Sequence, residues 1–439
     1  MKSADTSLKY TLRLIWAYKD VLRNHFSPIF KWYAKNFRTR QIAAAERLQG
    51  KNRIEVAFLL TIPGMWKSDY LFQALSDNPK YHPYIVIYPY SVFKGFDKQE
   101  IDATIENTRR FVEAKGFEYI IPYDAKHNQW EDIKKTLKPD IVIFTTPYKD
   151  IPPQYFIYNF KDTLTCYVPY GFSSLNLFKI NYDLIFHNLV GLHFVETEIH
   201  KQTATEHSRN KGENIVVTGY PGTEVFLRND YIPNDVWKPQ TVAKKRIIWA
   251  PHHTIDGDFA ISSFLQFCDT MPKLAMEYSD KVQFVFKPHQ LLKFKLQQIW
   301  GLERTEKYYR QWQEMPNCQL EECSYIDLFL TSDAMIHDCG SFTTEYLFTR
   351  KPVMYLIKNE DFVSKFSPFG LMSFNNHYQG RTENDIRNFI ESVVINGNDP
   401  MQKQRGDFFD KYLAPHEGKM PSEKIIETIE NAINGGMRE

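Results

Sequence analysis

Five cysteines in 439 residues, Cys166, Cys268, Cys318, Cys323 and Cys339, are too few and too scattered to staple this chain together. Their number is odd and no C-x-x-C pair occurs, which excludes a disulfide framework, a zinc ribbon and a thioredoxin-type redox motif. A reducing cytosol is the expected setting. Long apolar runs are missing as well, and no window approaches the roughly 20 apolar residues of a spanning helix. The N-terminus MKSADTSLKYTLRLIWAYKDVLR has neither an uninterrupted apolar core nor a small-residue cleavage site, so it does not read as a secretory signal. The location expected from these absences is cytoplasmic. Three catalytic signatures are also lacking. Without a Walker loop, a G-x-G-x-x-G or a G-x-S-x-G, a P-loop NTPase, a simple NAD dehydrogenase and an α/β-hydrolase are disfavoured. No D-x-D stands on a strand tip, so neither a metal nor a cofactor is expected.

Net charge is nearly absent, at +1 overall, but it is unevenly placed. Residues 1–53 carry twelve Lys/Arg against three Asp/Glu, a surplus of +9 that leaves −8 for the remainder. Nucleic acid is therefore not an expected partner of the main body. Residues 1–48 set Leu12, Trp16, Val21, Phe26, Trp32 and Phe37 among Lys9, Arg13, Lys19, Arg23, Lys31, Lys35, Arg38 and Arg40. At helical spacing this suits a basic amphipathic segment (1–50) lying on an anionic membrane surface, on the inner face of the cell membrane. The competing reading is a helix packed on the body of the protein.

What is present is strand and helix in alternation. The runs IEVAFLL (54–60), YIVIYPY (84–90), DIVIFTTPY (140–148), TCYVPYGFS (165–173) and NIVVTGYPG (214–222) are strand-like, with YLFQAL (70–75) and EDIKKTLK reading as helices between them. After NDYIPNDVWKPQTVAKK (229–245), rich in turn formers, the pattern restarts with RIIWAPHHT (246–254), VQFVFKPHQ (282–290) and AMIHD before the segment ending in KPVMYL. A length of 439 residues suits two domains. Two doubly wound Rossmann-like α/β domains with parallel sheets are expected, over 51–230 and 240–400, followed by C-terminal helices over 401–439.

Ligands of such sheets bind at the carboxyl ends of the strands. Three polar tips of the second domain draw attention: Pro251-His252-His253-Thr254, Lys287-Pro288-His289, and His337-Asp338-Cys339-Gly340-Ser341. Gly340 and Ser341 open a helix-like stretch with Thr343 and Thr344 in its first turn, an arrangement suited to a phosphate, with Ser341 as N-cap. Lys287 and the histidines can neutralise that phosphate, and a histidine can protonate a leaving oxygen. At least one of His252 and His253 also reads as an ordinary loop residue bonded to backbone. A zinc site from His252, His253, His289 and His337 matches no zinc spacing.

The segment SDAMIHDCGSFTTEYLFTRKPVMYL resembles that of the CDP-glycerol glycerophosphotransferase family, teichoic-acid-type polyol phosphate transferases with a GT-B fold. Asp338, Gly340, Ser341, Glu345 and Lys351-Pro352 stand where that family has its Asp, small polar pair, acidic residue and KP strand. WAPHHT is similar to the strand ending in APT, FKPHQ to the R-x-H-P tip, GYPGTEVF to G-Y-P-R, and QGRTENDI to the approach to the last helix. The likeness covers about residues 50–395. It implies two domains facing across a cleft. The second would hold a CDP-polyol donor through Pro251, His253, Lys287, Gly340, Ser341, Thr343 and Glu345, with Gly219, Gly171 and Ser173 contributing from the first-domain loops.

The reaction so implied is attack by a hydroxyl of a lipid-linked or glycan acceptor, of teichoic or capsule type, on the β-phosphorus, with release of CMP. His289, His252, Asp338 and Tyr170 form the candidate catalytic set. Tyr170 marks a departure, because the family has a W-H-G-T tip whose His looks like the base, and VPYGFS carries a phenol there. A phenol with reference pKa near ~10 is a poor base at neutral pH, so Tyr170 reads better as a stacking or hydrogen-bonding residue, with His252, His253, His187 and His193 as other candidate bases. Two alternatives stand beside this function: a nucleotide-sugar glycosyltransferase on the same scaffold, and a degenerate member acting only as a scaffold.

Overall fold

The computed structural model describes residues 28–89, 98–124, 126–127, 129–257, 260–322 and 325–437. Expectations placed on residues 1–27, and on Cys323, lie outside the described residues. The chain forms two compact units: residues 28–171, 177–224 and 415–437 make one, and 172–176 with 225–414 make the other.

The first unit is built on seven parallel strands: β1 (Ile54–Leu60), β2 (Tyr81–Ile87), β3 (Tyr119–Ile120), β6 (Ile141–Phe144), β7 (Leu164–Tyr167), β8 (Leu192–Val195) and β9 (Ile215–Val217). A separate antiparallel ribbon pairs β4 (Tyr123–Asp124) with β5 (Gln129–Trp130). The sheet order is β3-β2-β1-β6-β7-β8-β9. Strands covered on both faces must be apolar throughout, and Ile141–Phe144 and Leu164–Tyr167 are buried at every position. The expected helix at EDIKKTLK is only one turn, Ile133–Thr136.

Helix Pro28–Glu46 packs on this unit, with Phe37, Ala44, Ala45 and Leu48 buried. For these residues the helix docked on the body is what the chain forms, although Trp32 stays 67% exposed. Gln41 anchors it. Its fully buried amide Nε2 donates towards Phe160 O (3.0 Å), Lys161 O (3.1 Å) and Thr163 O (2.9 Å), and its Oε1 accepts from Thr165 N (2.9 Å) and Thr165 Oγ1 (2.7 Å). Gln41→Ala strands these buried groups, and each unsatisfied one costs about 1–3 kcal/mol. Urea unfolding is expected to report a loss of about 2–4 kcal/mol, since some partners can turn to other acceptors. A loss under ~0.5 kcal/mol, the range of an ordinary surface substitution, would show that the amide is not an anchor. The C-terminal helix Pro421–Asn431 returns to the same unit, where the fully buried Glu224 carboxylate accepts from Ser422 N and Ser422 Oγ, both at 2.8 Å. Gly219, with φ of 79°, sits under it, and a Cβ there would meet Pro421 Cγ at 3.0 Å. That glycine serves packing.

The second unit carries six parallel strands: β10 (Lys245–Ala250), β11 (Val282–Phe286), β12 (Cys318–Leu320), β13 (Ala334–His337), β14 (Val353–Leu356) and β15 (Tyr378–Gly380), in the order β12-β11-β10-β13-β14-β15. Its core centres on Trp249, whose ring lies 5.0 Å from Phe286, 5.3 Å from Trp312 and 5.7 Å from Phe264. Fully burying one such large apolar side chain stabilises by roughly 1.5–3 kcal/mol, so this cluster holds β10 and β11 in fixed register. Each sheet order runs outward in one direction and then reverses, at β1/β6 in the first unit and at β10/β13 in the second. Open α/β sheets bind ligands at such switch points. Among the described residues no helix is long and apolar enough to cross a membrane.

Candidate functional site

At the second switch point the ends of β11, β10 and β13 lie side by side. The tips are tied together by backbone. Lys287 N donates to Trp249 O (2.7 Å) and His289 N to Pro251 O (3.0 Å). The tie from β10 to β13 is the Asp338 carboxylate: Oδ1 accepts from His252 N (2.5 Å), while Oδ2 accepts from Ser262 Oγ (2.9 Å), Ser263 N (2.7 Å) and Ser263 Oγ (3.0 Å). Asp338 is 1% exposed, and burial raises its pKa to about 6 despite these four donors. Its carboxylate is thus an internal brace between two loops. Ser262 and Ser263, which complete it, were not among the expected site residues; their sequence mark is a Ser-Ser pair directly before the Phe264 helical turn.

Beyond the strand ends three imidazoles meet. Ring centroids are 4.3 Å apart for His252–His253, 4.8 Å for His252–His289 and 4.1 Å for His253–His289. Burial depresses all three pKa values, helped at His252 and His253 by the crowding of the rings and at His253 and His289 by Lys295 and Lys287: His252 falls well below its ordinary value, His253 to about 2 and His289 to about 4. The free cluster is therefore neutral at pH 7. His289 Nδ1 accepts the Leu291 N–H at 3.1 Å, so in the neutral ring the proton sits on Nε2. His252 Nδ1 lies 2.9 Å from Thr254 Oγ1. The ligand atoms of the three rings come within 4.8 Å of one another, close enough to prompt the question of a metal. Protonated Nε2 on His289 removes one of the three lone pairs such an ion would need. An anion, which needs N–H donors and nearby positive charge, fits these residues better.

His337 does not join them. It is fully buried, its ring 5.1 Å from Tyr355 and 5.2 Å from His377. The four-histidine zinc grouping is therefore not assembled. Two further candidate bases are also displaced. His187 and His193, 2% and 1% exposed, stack on each other at 5.2 Å inside the first unit against Tyr167. Burial lowers His193 to about 3 and His187 well below its ordinary value, so they are core residues.

The Gly340–Glu345 turn also departs from expectation. Only Phe342–Glu345 is α-helical, followed by a 3-10 stretch Tyr346–Thr349. Ser341 does stand at the N-cap position, but with helical angles (φ −67°, ψ −36°) and no capping bond from its side chain. Thr343 is fully buried and its Oγ1 donates to Cys339 O at 2.7 Å; Glu345 is 2% exposed. A Cβ on Gly340 would meet Leu175 Cδ1 at 2.7 Å, so that side chain would have to turn aside. That leucine belongs to segment 172–176, held to the second unit by Ser174 Oγ to Thr344 Oγ1 (2.9 Å), Ser367 N to Ser174 O (3.0 Å) and a bridge from Leu175 to Phe366. Ser173 lies in this same segment, its carbonyl 3.3 Å from Ser367 Oγ.

In the first unit, Tyr170 follows β7 and its hydroxyl is 3.2 Å from that of Tyr148, which follows β6. The rings are 6.4 Å apart and edge-on. Gly171 next to it has no heavy atom within 4 Å of a built Cβ, so its side is open. Tyr148 had no part in the expected site; the Thr-Pro-Tyr at the end of β6, parallel to Val-Pro-Tyr at the end of β7, is the mark that points to it.

The profile of CDP-glycerol:poly(glycerophosphate) glycerophosphotransferases matches residues 187–431, more than half the chain. This chain belongs to that family. The matched span contains all three tips of the β10/β13 switch point, and membership makes the protein a transferase. No curated protein matches the chain. Among solved structures, the wall teichoic acid polymerase TagF is similar at a TM-score of 0.54 and 15% identity, over 97% of this chain and 99% of that one. MnaA of S. aureus, solved with UDP, is similar at 0.54 and 14%, over 87% and 97%. The UDP-GlcNAc 2-epimerase of Neisseria meningitidis, bound to UDP-GlcNAc, is similar at 0.52 and 14%, over 86% and 100%. At these identities the likeness concerns the fold, two Rossmann-like domains of the GT-B kind, as expected for this glycerophosphotransferase family member.

Proposed function

We propose that this family member transfers a polyol phosphate, glycerol phosphate or a close relative, from a CDP-activated donor to a hydroxyl of a surface glycan or teichoic-like acceptor. The observation that carries this reading is the neutral His252, His253, His289 cluster beside Lys287 at the second switch point, inside the family-matched span. The donor's diphosphate is held there by imidazole N–H groups and the Lys287 charge, with Pro251, Gly340 and Ser341 supplying nearby backbone. The acceptor hydroxyl oxygen bonds to the β-phosphorus and releases its proton to water, the bond from that phosphorus to the bridging oxygen breaks with its electron pair staying on that oxygen, and CMP departs. His289 keeps its Nε2 proton and donates it as a hydrogen bond to the departing oxygen, stabilising the charge that builds there. Asp338 acts on the loops and not on the substrate, and Thr343 and Glu345 support the turn from inside. Tyr170, with Tyr148, hydrogen-bonds or stacks on the acceptor in the first domain. The rate is then mainly a matter of positioning and charge stabilisation.

The test is CMP release by purified protein across CDP-glycerol, CDP-ribitol and other CDP-alcohols with a lipid-linked acceptor. Turnover with at least one of them is expected. Release of UDP, GDP or CMP only from the corresponding nucleotide sugars would make the protein a glycosyltransferase, and release of nucleotide from no donor would leave a scaffold.

A further inference from the structure

The three imidazoles are crowded into one half-buried cluster. Among the described residues no acidic side chain hydrogen-bonds or forms an ion pair with any of the three rings. The charged groups around them come from four elements. Lys287 at the end of β11 bears on His289, and Lys295 on helix Leu292–Trp300 bears on His253. Lys295 is itself paired with Asp256, Nζ to Oδ1 at 2.9 Å. Asp338 at the end of β13 directs its oxygens to His252 N, Ser262 and Ser263, and Lys358 after β14 donates to Ile255 O at 2.9 Å. A ring in such company resists a proton until an anion arrives.

The three rings are not equivalent in this. His289 already has its Nε2 proton, because Leu291 N–H occupies Nδ1, and a second proton on that ring would break the backbone bond. His253 Nδ1 is buried without a hydrogen-bond partner, with the side chain 9% exposed, and its ring lies 4.3 Å from that of His252. We propose that His252 and His253 together take up one proton when the diphosphate of the donor binds, so that the substrate itself creates the charged imidazole that holds it. This rests on the donor site proposed above and adds its proton linkage. The direction follows from the sign of the linkage. If the bound state holds the proton to a higher pH than the free state, affinity falls as pH rises through the interval between the two, by up to about tenfold per pH unit for one proton.

The experiment is titration calorimetry of the full chain with CDP-glycerol, whose diphosphate diester does not itself titrate near neutrality, in buffers of different ionisation heat between pH 5 and 8. Uptake approaching one proton per ligand is expected in the acid part of that range, with the affinity slope above, and most of it should vanish in His252→Asn and in His253→Asn. The wild-type slope is a readout that does not depend on either variant folding. Binding of CDP-glycerol with no proton uptake overturns this inference and leaves the donor site standing, as does uptake unchanged in both variants. Absence of binding by CDP-glycerol and by CDP removes the donor site and this inference with it. Stoichiometric zinc in the purified protein, lost in His252→Asn, also overturns it, since the metal would occupy the lone pairs the proton needs.

Discussion

His289→Ala is expected to leave a folded protein whose turnover falls by about 10²–10³-fold, the range of one lost hydrogen-bond donor to developing negative charge. The fold should survive because the His289 ring is only partly buried and packs on two other histidines, while the tip itself is held by the bond from His289 N to Pro251 O. What alanine removes is one N–H whose place is set by the Leu291 bond. CMP release measured beside a thermal melt separates the two effects. A preserved melt with turnover unchanged would exclude His289 from the reaction. A loss in affinity alone, with kcat intact, would assign His289 to holding the bound phosphate and not to stabilising the departing oxygen.

Asp338→Ala is expected to have the largest combined effect, on stability and turnover together. Two backbone N–H groups, His252 and Ser263, and two hydroxyls lose their acceptor inside the protein. Removing the partner of buried donors costs about 1–3 kcal/mol per group. The hydroxyls can turn to other acceptors, and relief from burying a carboxylate offsets part of the loss, so a net of about 2–4 kcal/mol is expected at neutral pH. Turnover should collapse with it, because the backbone of His252 is no longer pinned to β13. The pH dependence provides an independent check. Burial holds the Asp338 proton in the folded protein up to about pH 6, whereas in the unfolded chain it leaves near about 3.9. Between these values the folded state binds more protons, so stability from this group is full below about pH 4 and declines as pH rises to 6, by about 3 kcal/mol across the two-unit window. In urea unfolding from pH 4 to 7, the slope of wild type minus Asp338→Asn should show that decline. A flat difference would mean that the four donors cancel the burial.

Some of this was readable in the residues. IEVAFLL became β1 over the same residues, 54–60, and the runs at 140–148, 246–254 and 282–290 each contain a parallel strand, because a strand buried on both faces leaves a continuous apolar stretch. The edge strands Tyr119–Ile120 and Cys318–Leu320 carry no such stretch, since two or three residues against one neighbour need little burial. The site was read by type and missed in detail. His252, His253, His289 and His337 all stand at strand ends and look alike in a linear reading. His337 is the last residue of β13 and its ring turns into the core against Tyr355, while the other three lie past the strand ends and meet. Thr343 and Glu345 promised polar contacts, yet the turn that carries them is so short that both are drawn inside.

By itself the sequence determined two parallel α/β domains, a family and the chemical character of three loops, because strand burial, turn residues and side-chain type are local properties. Which histidines share a space, and that the Asp338 carboxylate accepts from two loops, only the tertiary structure decided. Those depend on how far each strand runs before its loop begins and on which buried N–H groups reach a carboxylate, distances that no spacing along the chain records.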